Sequence, residues 1–420
     1  MSDVRRLILV GAGHAHIEVL RQAARERFQA EIIVVSPSDQ QLYSGLMPAR
    51  LRGVVDDSAL SIDVPALCRA AGATFVGGTA TRLIADQFET AGESNREDVV
   101  STNDEPDRVG VVVNGDTIQG THMSLDIGSV PTGGELPGVR EFAFGTRPHA
   151  AWQALLERCD ALVRDSSPNA EISCVVVGGG AAGTELALAL AARLRAASRI
   201  PHVTLVCAAP TILSGFSQRV VSHAERILAQ HDIHTIRNSV VTEVTSSHVA
   251  IASASNAPVK HTPSHGHHRG SPGSNGPDSM LPSQLTVWAT GAAAPPLVAQ
   301  STLPTDAHGF LSVDNMLRAA NGASVWGAGD CVSLAEAPWM TKSGVYAVRA
   351  APILAHNLRT ACDGGVAKRF TPQRHTMFIL DSADGRALLS WRSIALHTAW
   401  ALRLKHDIDN RFVRRYQFPR

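Results

Sequence analysis

The sequence predicts the α/β class: parallel sheets assembled from strand–turn–helix units, one unit inserted inside another, with a small C-terminal region. Three observations carry this. Apolar runs alternate with amphipathic helical stretches along most of the chain, the pattern of buried parallel strands joined by crossover helices. The stretch "LILVGAGHAHIEVLRQ" at 7–22 is echoed by "CVVVGGGAAGTELALAL" at 174–190, an internal repeat. Three later strands also run straight into glycine: "MSLDIGSVP" (123–131), "LTVWATGAAAPP" (285–296) and "ASVWGAGDCVSL" (323–334).

Each copy of the repeat is followed by a second strand, "AEIIVVSPSD" (30–39) or "HVTLVCAAP" (202–210). In such a β-α-β unit the spacing G-x-G-x-x-G has a physical reading. The first glycine makes the tight turn, the second lets backbone approach a pyrophosphate, and the third lets helix and strand pack closely; the helix N-terminus faces the phosphates. Gly178, Gly180 and Gly183 fill all three places in the second copy. Gly11 and Gly13 fill the first two in the first copy, and His16 stands at the third. Two dinucleotide cradles are therefore expected, the first with its phosphate-facing part kept and its packing position exchanged.

At 420 residues the chain exceeds what one core usually serves, so two or three domains are expected. A formal net charge of zero gives no global attraction for nucleic acid. Six cysteines (68, 159, 174, 207, 331 and 362) show no C-x-x-C spacing and read as reduced, buried thiols of a cytoplasmic protein. The N-terminal apolar run is too short for a secretory signal. Residues 174–192 look membrane-like, but three consecutive glycines and Glu185 argue for strand, turn and helix instead. Two polar segments, 91–108 and 255–283, read as insertions, the second as disordered. Its histidines 261, 265, 267 and 268 lack an orienting cysteine or carboxylate framework, so no metal site is expected.

The order of glycine turn, D-I-G, glycine turn, A-T-G and G-D resembles the two-dinucleotide flavoproteins of the pyridine nucleotide–disulfide oxidoreductase superfamily. Within it, "GHAHIEVL", "YSGLMPARLRG" (43–53), "LDIGS", "KSGVYAVRAAPILAHNL" (342–358) and "DNRFVRRYQF" (409–418) resemble type II NADH dehydrogenase-like FAD proteins, some of which are fused to selenide, water dikinase. The resemblance implies two Rossmann-like domains. Residues 1–145 and 284–362 would bind FAD, an inserted 146–283 would bind NAD(P)H, and 363–420 would carry a basic amphipathic helix.

The same resemblance implies roles. Gly11 and Gly13 would lie at the FAD pyrophosphate, with Gly128 and Gly329 in the neighbouring turns and Asp330 accepting from the ribityl and pyrophosphate region; a helix N-cap is the plainer role for Asp330. Ser36 stands where a carboxylate normally meets the adenosine ribose, with Asp39 as a substitute. Tyr43, Ser44 and Arg50 would run close to the flavin. His14 would reach the flavin or phosphates, or merely fill the turn. Gly178, Gly180, Gly183 and Gly291 would serve NAD(P)H. Cys207 occupies the place that selects between the two nicotinamide nucleotides, which leaves that preference open. Glu185 would sit near nicotinamide and flavin, unless it only complements the helix dipole. A helix beginning within 340–350 would aim its N-terminus at the flavin N1/O2 edge, and Lys342 would add charge there or be an exposed helix-start lysine.

Departures from the family matter as well. Disulfide reductases carry a C-x4-C pair where this chain has "QQLYSGLMPARLRG", so electrons would pass from flavin directly to an outside acceptor. Sulfide:quinone oxidoreductases need cysteines beside the flavin. Here Cys159 falls in an expected helix (149–164) and Cys331 follows Gly-Asp, neither with an evident partner. The expectation is an FAD-dependent oxidoreductase taking hydride from NAD(P)H and passing electrons to a quinone or similar small acceptor. A sulfur or selenium redox flavoenzyme and a flavin-binding regulatory protein with little turnover are the alternatives. At the C-terminus, Trp400, Leu404, Ile408, Phe412 and Tyr416 recur every four residues beside Arg403, Lys405, Arg411, Arg414, Arg415 and Arg420. This stripe is expected to meet a membrane surface, the protein's own core or a second subunit.

Overall fold

The structure, a computed structural model, describes residues 5–85, 109–256, 279–392 and 394–417. The whole 91–108 insertion and the four histidines of the second polar segment lie outside these residues.

Two five-stranded parallel sheets dominate. In the first, the strands run in the order Val325–Gly327, His122–Leu125, Arg6–Val10, Glu31–Ser36, Thr74–Gly77. In the second the order is Ala143–Gly145, Leu285–Trp288, Glu171–Val177, Ile200–Val206, His234–Ile236. Each repeat strand is thus central in its sheet. Leu7, Ile8, Leu9 and Val10 are buried, as are Cys174 to Val177, because helices and an antiparallel meander pack on each sheet and leave no polar side. That is why these strands read as unbroken apolar runs.

The second sheet is wider than the expected 146–283. Ala143–Gly145 and Leu285–Trp288 both pair within it. The reason lies in the repeat: the A-T-G strand flanks Glu171–Val177 as the D-I-G strand flanks Arg6–Val10. Each sheet is accompanied by an antiparallel meander, Ala80–Ala85/Val109–Val113/Asp116–Gly120 and Ser239–Val244/His248–Ser253/Ser279–Pro282. Ser279–Pro282 is a paired strand, so the end of the segment expected to be disordered is ordered.

The C-terminal region is a three-stranded antiparallel sheet, Phe378–Asp381, Ala387–Trp391 and Ile394–Thr398, followed by the helix Ala399–Tyr416. Thr398 Oγ1 caps that helix by accepting from the Ala401 amide at 3.1 Å. The expected apolar stripe is corrected in part. Phe412 and Tyr416 are buried, but Trp400 and Ile408 are 55% and 38% exposed, and the inward face includes Lys405 and Asp409. These two pair with each other at 3.0 Å, and Lys405 also donates to the Gly45 carbonyl at 2.7 Å. A satisfied ion pair is what allows charge on the buried side. Among the described residues, no helix is long and apolar enough to cross a membrane.

Candidate functional site

Three strands of the first sheet end together. Arg6–Val10 runs into Gly11, His122–Leu125 into Asp126, and Val325–Gly327 into Gly329 and Asp330. Gly11 has φ +89°, and a Cβ there would overlap the Asp126 carbonyl. Gly13 precedes the helix His14–Arg25, which has neither a capping side chain nor an acid in its first turn. Its open amides are met from elsewhere: Ala15 and His16 donate to Asp126 Oδ2 at 2.7 and 3.0 Å. A Cβ at Gly13 or Gly329 would also strike the Asp126 carboxyl. Three expected cradle glycines therefore converge on one buried acid that sequence reading passed over. Burial pushes its carboxyl up to about 7, against the opposing pull of the two amide bonds. The signal was available in the repeat, where D-I-G stands opposite A-T-G.

The exchanged glycine has a physical account. In the second unit, a Cβ on Gly183 would overlap the Gly178 carbonyl, so helix and strand touch. In the first unit the His16 ring lies between them, 2.6 Å by Nδ1 from the Gly11 carbonyl and 2.8 Å by Nε2 from Ser124 Oγ. A carbonyl only accepts, so Nδ1 carries the proton and Nε2 accepts from the serine hydroxyl. Burial holds the ring neutral, lowering its pKa to about 4.

Around the cradle, Asp330 lies in the turn Gly329–Cys331 and accepts from Arg147 Nη1 at 2.9 Å. Gly128 has φ +69°, which carries the chain out of the D-I-G turn. His14 is neutral, its pKa lowered by burial to about 4, and it packs against Tyr43 and Phe412. Tyr43 stacks on Phe412 at 4.4 Å and donates to Asp409 Oδ1 at 2.9 Å. The helix Gly344–Asp363 begins beside Ser44, with Ser343 as its N-cap.

Two residues sit otherwise than expected, and a third, Lys342, lines the cleft with its charge already engaged. Arg50 points away, in an ion pair with Asp57 at 2.7 Å on a separate shallow surface. Ser36 turns back on its own loop and donates to the Ser38 carbonyl at 2.9 Å, so its hydroxyl hydrogen is taken. Lys342 has its ammonium over the Phe310 ring and on the Val332 carbonyl, and burial lowers its pKa. Its charge is thereby engaged in packing.

In the second cradle, Gly178 closes on the Ala289 carbonyl, while a Cβ at Gly180 would meet nothing within 4 Å. Cys207 lies against Gly179 at the end of its strand, and Gly291 near Thr132. Glu185 Oε1 accepts from the Asp381 amide at 2.8 Å, tying the second unit to the C-terminal sheet. Burial pushes its carboxyl up to about 7, opposed first by the charge of Lys405. Arg52 pairs with Asp381 at 3.1 Å behind it. The sequence pattern counts Lys405 only among the basic residues of the amphipathic helix, and it singles out neither Asp409 nor Arg147 for the site. Nothing in the linear pattern joins 43, 147, 185, 330 and 405; only the fold does.

One cleft of about 1360 Å³ connects these parts. His14, Tyr43, Ser44, Arg147 and the Gly344 helix start line it from the first unit's side, and Gly178, Gly180, Glu185, Cys207 and Gly291 from the second's. All six cysteines are buried and unpaired. Burial pushes the Cys159 and Cys331 thiols up to about 12, and Cys331 donates to the Ala328 and Leu125 carbonyls. Among the described residues there is no cluster of histidine, cysteine and carboxylate side chains suited to a metal.

The fold is shared with solved structures across nearly the whole chain. The sulfide:quinone oxidoreductase of Aquifex aeolicus has a TM-score of 0.73 at 14% identity, covering 98% of this chain and 91% of that one. NDH2 of Plasmodium falciparum in complex with NADH has a TM-score of 0.70 at 13% identity, with 99% of each chain covered. By sequence, the chain is 22% identical over 360 residues to the external alternative NADH-ubiquinone oxidoreductase of Yarrowia lipolytica, covering 80% of this chain and 56% of that protein. It is 25% identical over 351 residues to a probable NADH dehydrogenase of Dictyostelium discoideum, covering 78% of this chain and 68% of that protein. The chain thus spans little more than half the length of the first of these relatives. Each of two parallel sheets ends in a glycine turn, both units contribute to one cleft, and the family model described as pyridine nucleotide-disulphide oxidoreductase matches residues 5–352: the chain belongs to that family.

Proposed function

We propose that the first cradle binds FAD, the second binds NADH or NADPH, and electrons pass to a quinone or similar small acceptor. The observation that carries this reading is one cleft lined by His14, Tyr43 and the Gly344 helix start beside the first cradle and by Gly178, Gly180 and Glu185 of the second. The residues fit the two groups. Gly11, Gly13 and Gly329 bring no side chain of their own to the first cradle, where the Asp126 carboxyl stands, Asp330 in the next turn is paired with Arg147 of the cleft lining, and the second helix opens on the cleft at Gly180. Bound flavin supplies the ability to accept two electrons together and release them singly.

The chain's own residues supply position and protons. The start of the helix Gly344–Asp363 presents its positive end to the cleft. Tyr43, stacked on Phe412, forms an apolar wall. Glu185 faces the cleft and holds a proton near neutrality, so it is placed to give one to an acceptor being reduced. The relatives named for NADH and ubiquinone support the donor and acceptor classes. Burial of Cys159 and Cys331 with raised thiol pKa values favours this reading over sulfur chemistry.

Anaerobic titration of the flavin-loaded protein with NADH, NADPH and sulfide tests it. Prompt bleaching by a nicotinamide nucleotide, reversed by a soluble quinone, is expected. Bleaching by sulfide alone would overturn the donor assignment, and no bleaching by any of the three would favour a flavin-binding protein with little turnover. Asp330→Ala should lose flavin on gel filtration where the wild type keeps it.

The acceptor's route is part of the same proposal. Ile408 lies on the cleft lining and is exposed, as are Trp391, Ile394, Leu396 and Trp400 nearby in the C-terminal region. Arg403, Arg411, Arg414 and Arg415 are exposed on the same helix. Apolar side chains beside exposed arginines suit an anionic membrane surface, where quinones dissolve.

A further inference from the structure

The two cradles differ at one position, and it decides what each helix N-terminus holds. Gly11 closes on the Asp126 carbonyl as Gly178 closes on that of Ala289, so Asp126 and Ala289 are structural counterparts. In front of Gly180 the space is open; in front of Gly13 it is filled by the Asp126 carboxyl. Asp126 Oδ2 takes the Ala15 and His16 amides, the groups that a phosphate would otherwise meet at that helix end.

We propose that Asp126 is a built-in occupant of the first cradle's anion position, and that a dinucleotide binds there only when Asp126 is the neutral acid, with one proton taken up per pyrophosphate bound. This rests on reading the first unit as the FAD cradle. The surrounding groups make the coupling strong. Asp330, in the Gly-Asp turn, disfavours the ionised form of Asp126 and is itself paired with Arg147. The Cys331 thiol also feels Asp126, the neutral His16 ring sits in the helix turn that donates to Asp126, and His14, Arg147 and Lys342 act on Asp330 beside it. Burial already holds Asp126 near neutrality, at about 7, and a pyrophosphate adds like charge that raises it further. Affinity for the dinucleotide therefore falls as pH rises above that value, because the ionised carboxylate must be reprotonated for binding.

The test is a titration of the full-length apoprotein with FAD, read by flavin fluorescence, from about pH 6 to about pH 9. Wild type, Asp126→Asn and Asp126→Ala are compared; the alanine variant copies the second cradle, and the asparagine variant keeps an acceptor for the two amides. Wild-type Kd should weaken roughly tenfold per pH unit above about pH 7, and both variants should show a flat profile. Calorimetry in two buffers of different ionisation enthalpy should show proton uptake of about one in the wild type and near none in the variants. Flat wild-type binding, or variants that slope like the wild type, overturns the proposal while leaving FAD binding intact. FAD bound by none of the three proteins at any pH overturns the flavin reading and the proposal with it. If the alanine variant does not fold, the asparagine variant alone decides.

Discussion

His16 donates from Nδ1 to the carbonyl of Gly11 at 2.6 Å, filling the gap that Gly183 and Gly178 keep closed in the second unit. The imidazole is thus a packing element of the first unit and holds Ser124 in place through its other nitrogen. Removing it leaves a cavity and two buried polar groups without their partner. His16→Ala should destabilise by about 2–4 kcal/mol in urea unfolding. Ser124→Ala should cost only about 1 kcal/mol, and the double variant less than the sum. A His16→Gly protein as stable as wild type would show that the ring is dispensable and that the helix closes up without it.

The parts of this architecture that were legible in the sequence are those set by local chemistry. Buried parallel strands must be apolar on both faces, and the turns at Gly11 and Gly178 need glycine, so both cradles could be read directly. Asp126 was hidden because its partners, the Ala15 and His16 amides, lie 111 and 110 residues away. The C-terminal helix departs in part from its pattern for another reason. Amphipathic reasoning puts charge outside, whereas Lys405 and Asp409 neutralise each other inside and free Trp400 and Ile408 to face outward. Lys342 shows the same limit: its place at a helix start was read correctly, but not the Phe310 ring that receives its charge.

Asp126 should leave a signature in stability as well. Its folded pKa is raised from 3.8 to about 7, so between these values the folded state binds more protons than the unfolded one. Stability from this group is therefore full below the unfolded value and is lost as pH rises through the folded value. The loss is a few kcal/mol at most, at about 1.4 kcal/mol per unit. In flavin-free protein, Asp126→Asn should gain Tm relative to wild type on moving from about pH 5 to about pH 8, by several degrees. Comparing the two proteins cancels the opposite contributions of His14 and His16, whose pKa values are lowered. A difference in Tm that does not change with pH would place the Asp126 charge outside the folding equilibrium.

Glu185 is the acid whose proton the proposed reaction can use. Its carboxyl is raised to about 7 and faces the cleft, with Lys405 near enough to draw it down. Glu185→Gln should retain flavin yet lose about ten- to a hundredfold in quinone reduction, and the pH–rate limb near neutrality should disappear. Lys405→Met should shift that limb upward, since the opposing positive charge is gone. An unchanged pH profile in Glu185→Gln would assign the residue to holding the Asp381 amide, with no part in proton transfer.

The C-terminal helix joins two properties that can be separated by substitution. Phe412, Val413 and Tyr416 are buried, and Tyr416 donates to Glu18 at 3.0 Å, so its inner face belongs to the fold. Truncation before Trp400 should therefore destabilise strongly, each lost apolar side chain being worth about 1.5–3 kcal/mol. Trp400→Ser and Ile408→Ser act on exposed positions and should move stability by no more than about 0.5 kcal/mol. If the outer face meets a membrane, those same variants should lower co-sedimentation with anionic liposomes. Replacing Arg411, Arg414 and Arg415 by glutamine should lower it further at low salt, with the difference vanishing as salt screens the charges. Negligible liposome binding by wild type at every salt concentration would reject the membrane contact, and a concentration-dependent dimer abolished by Trp400→Ser would assign the exposed face to a second copy of the chain.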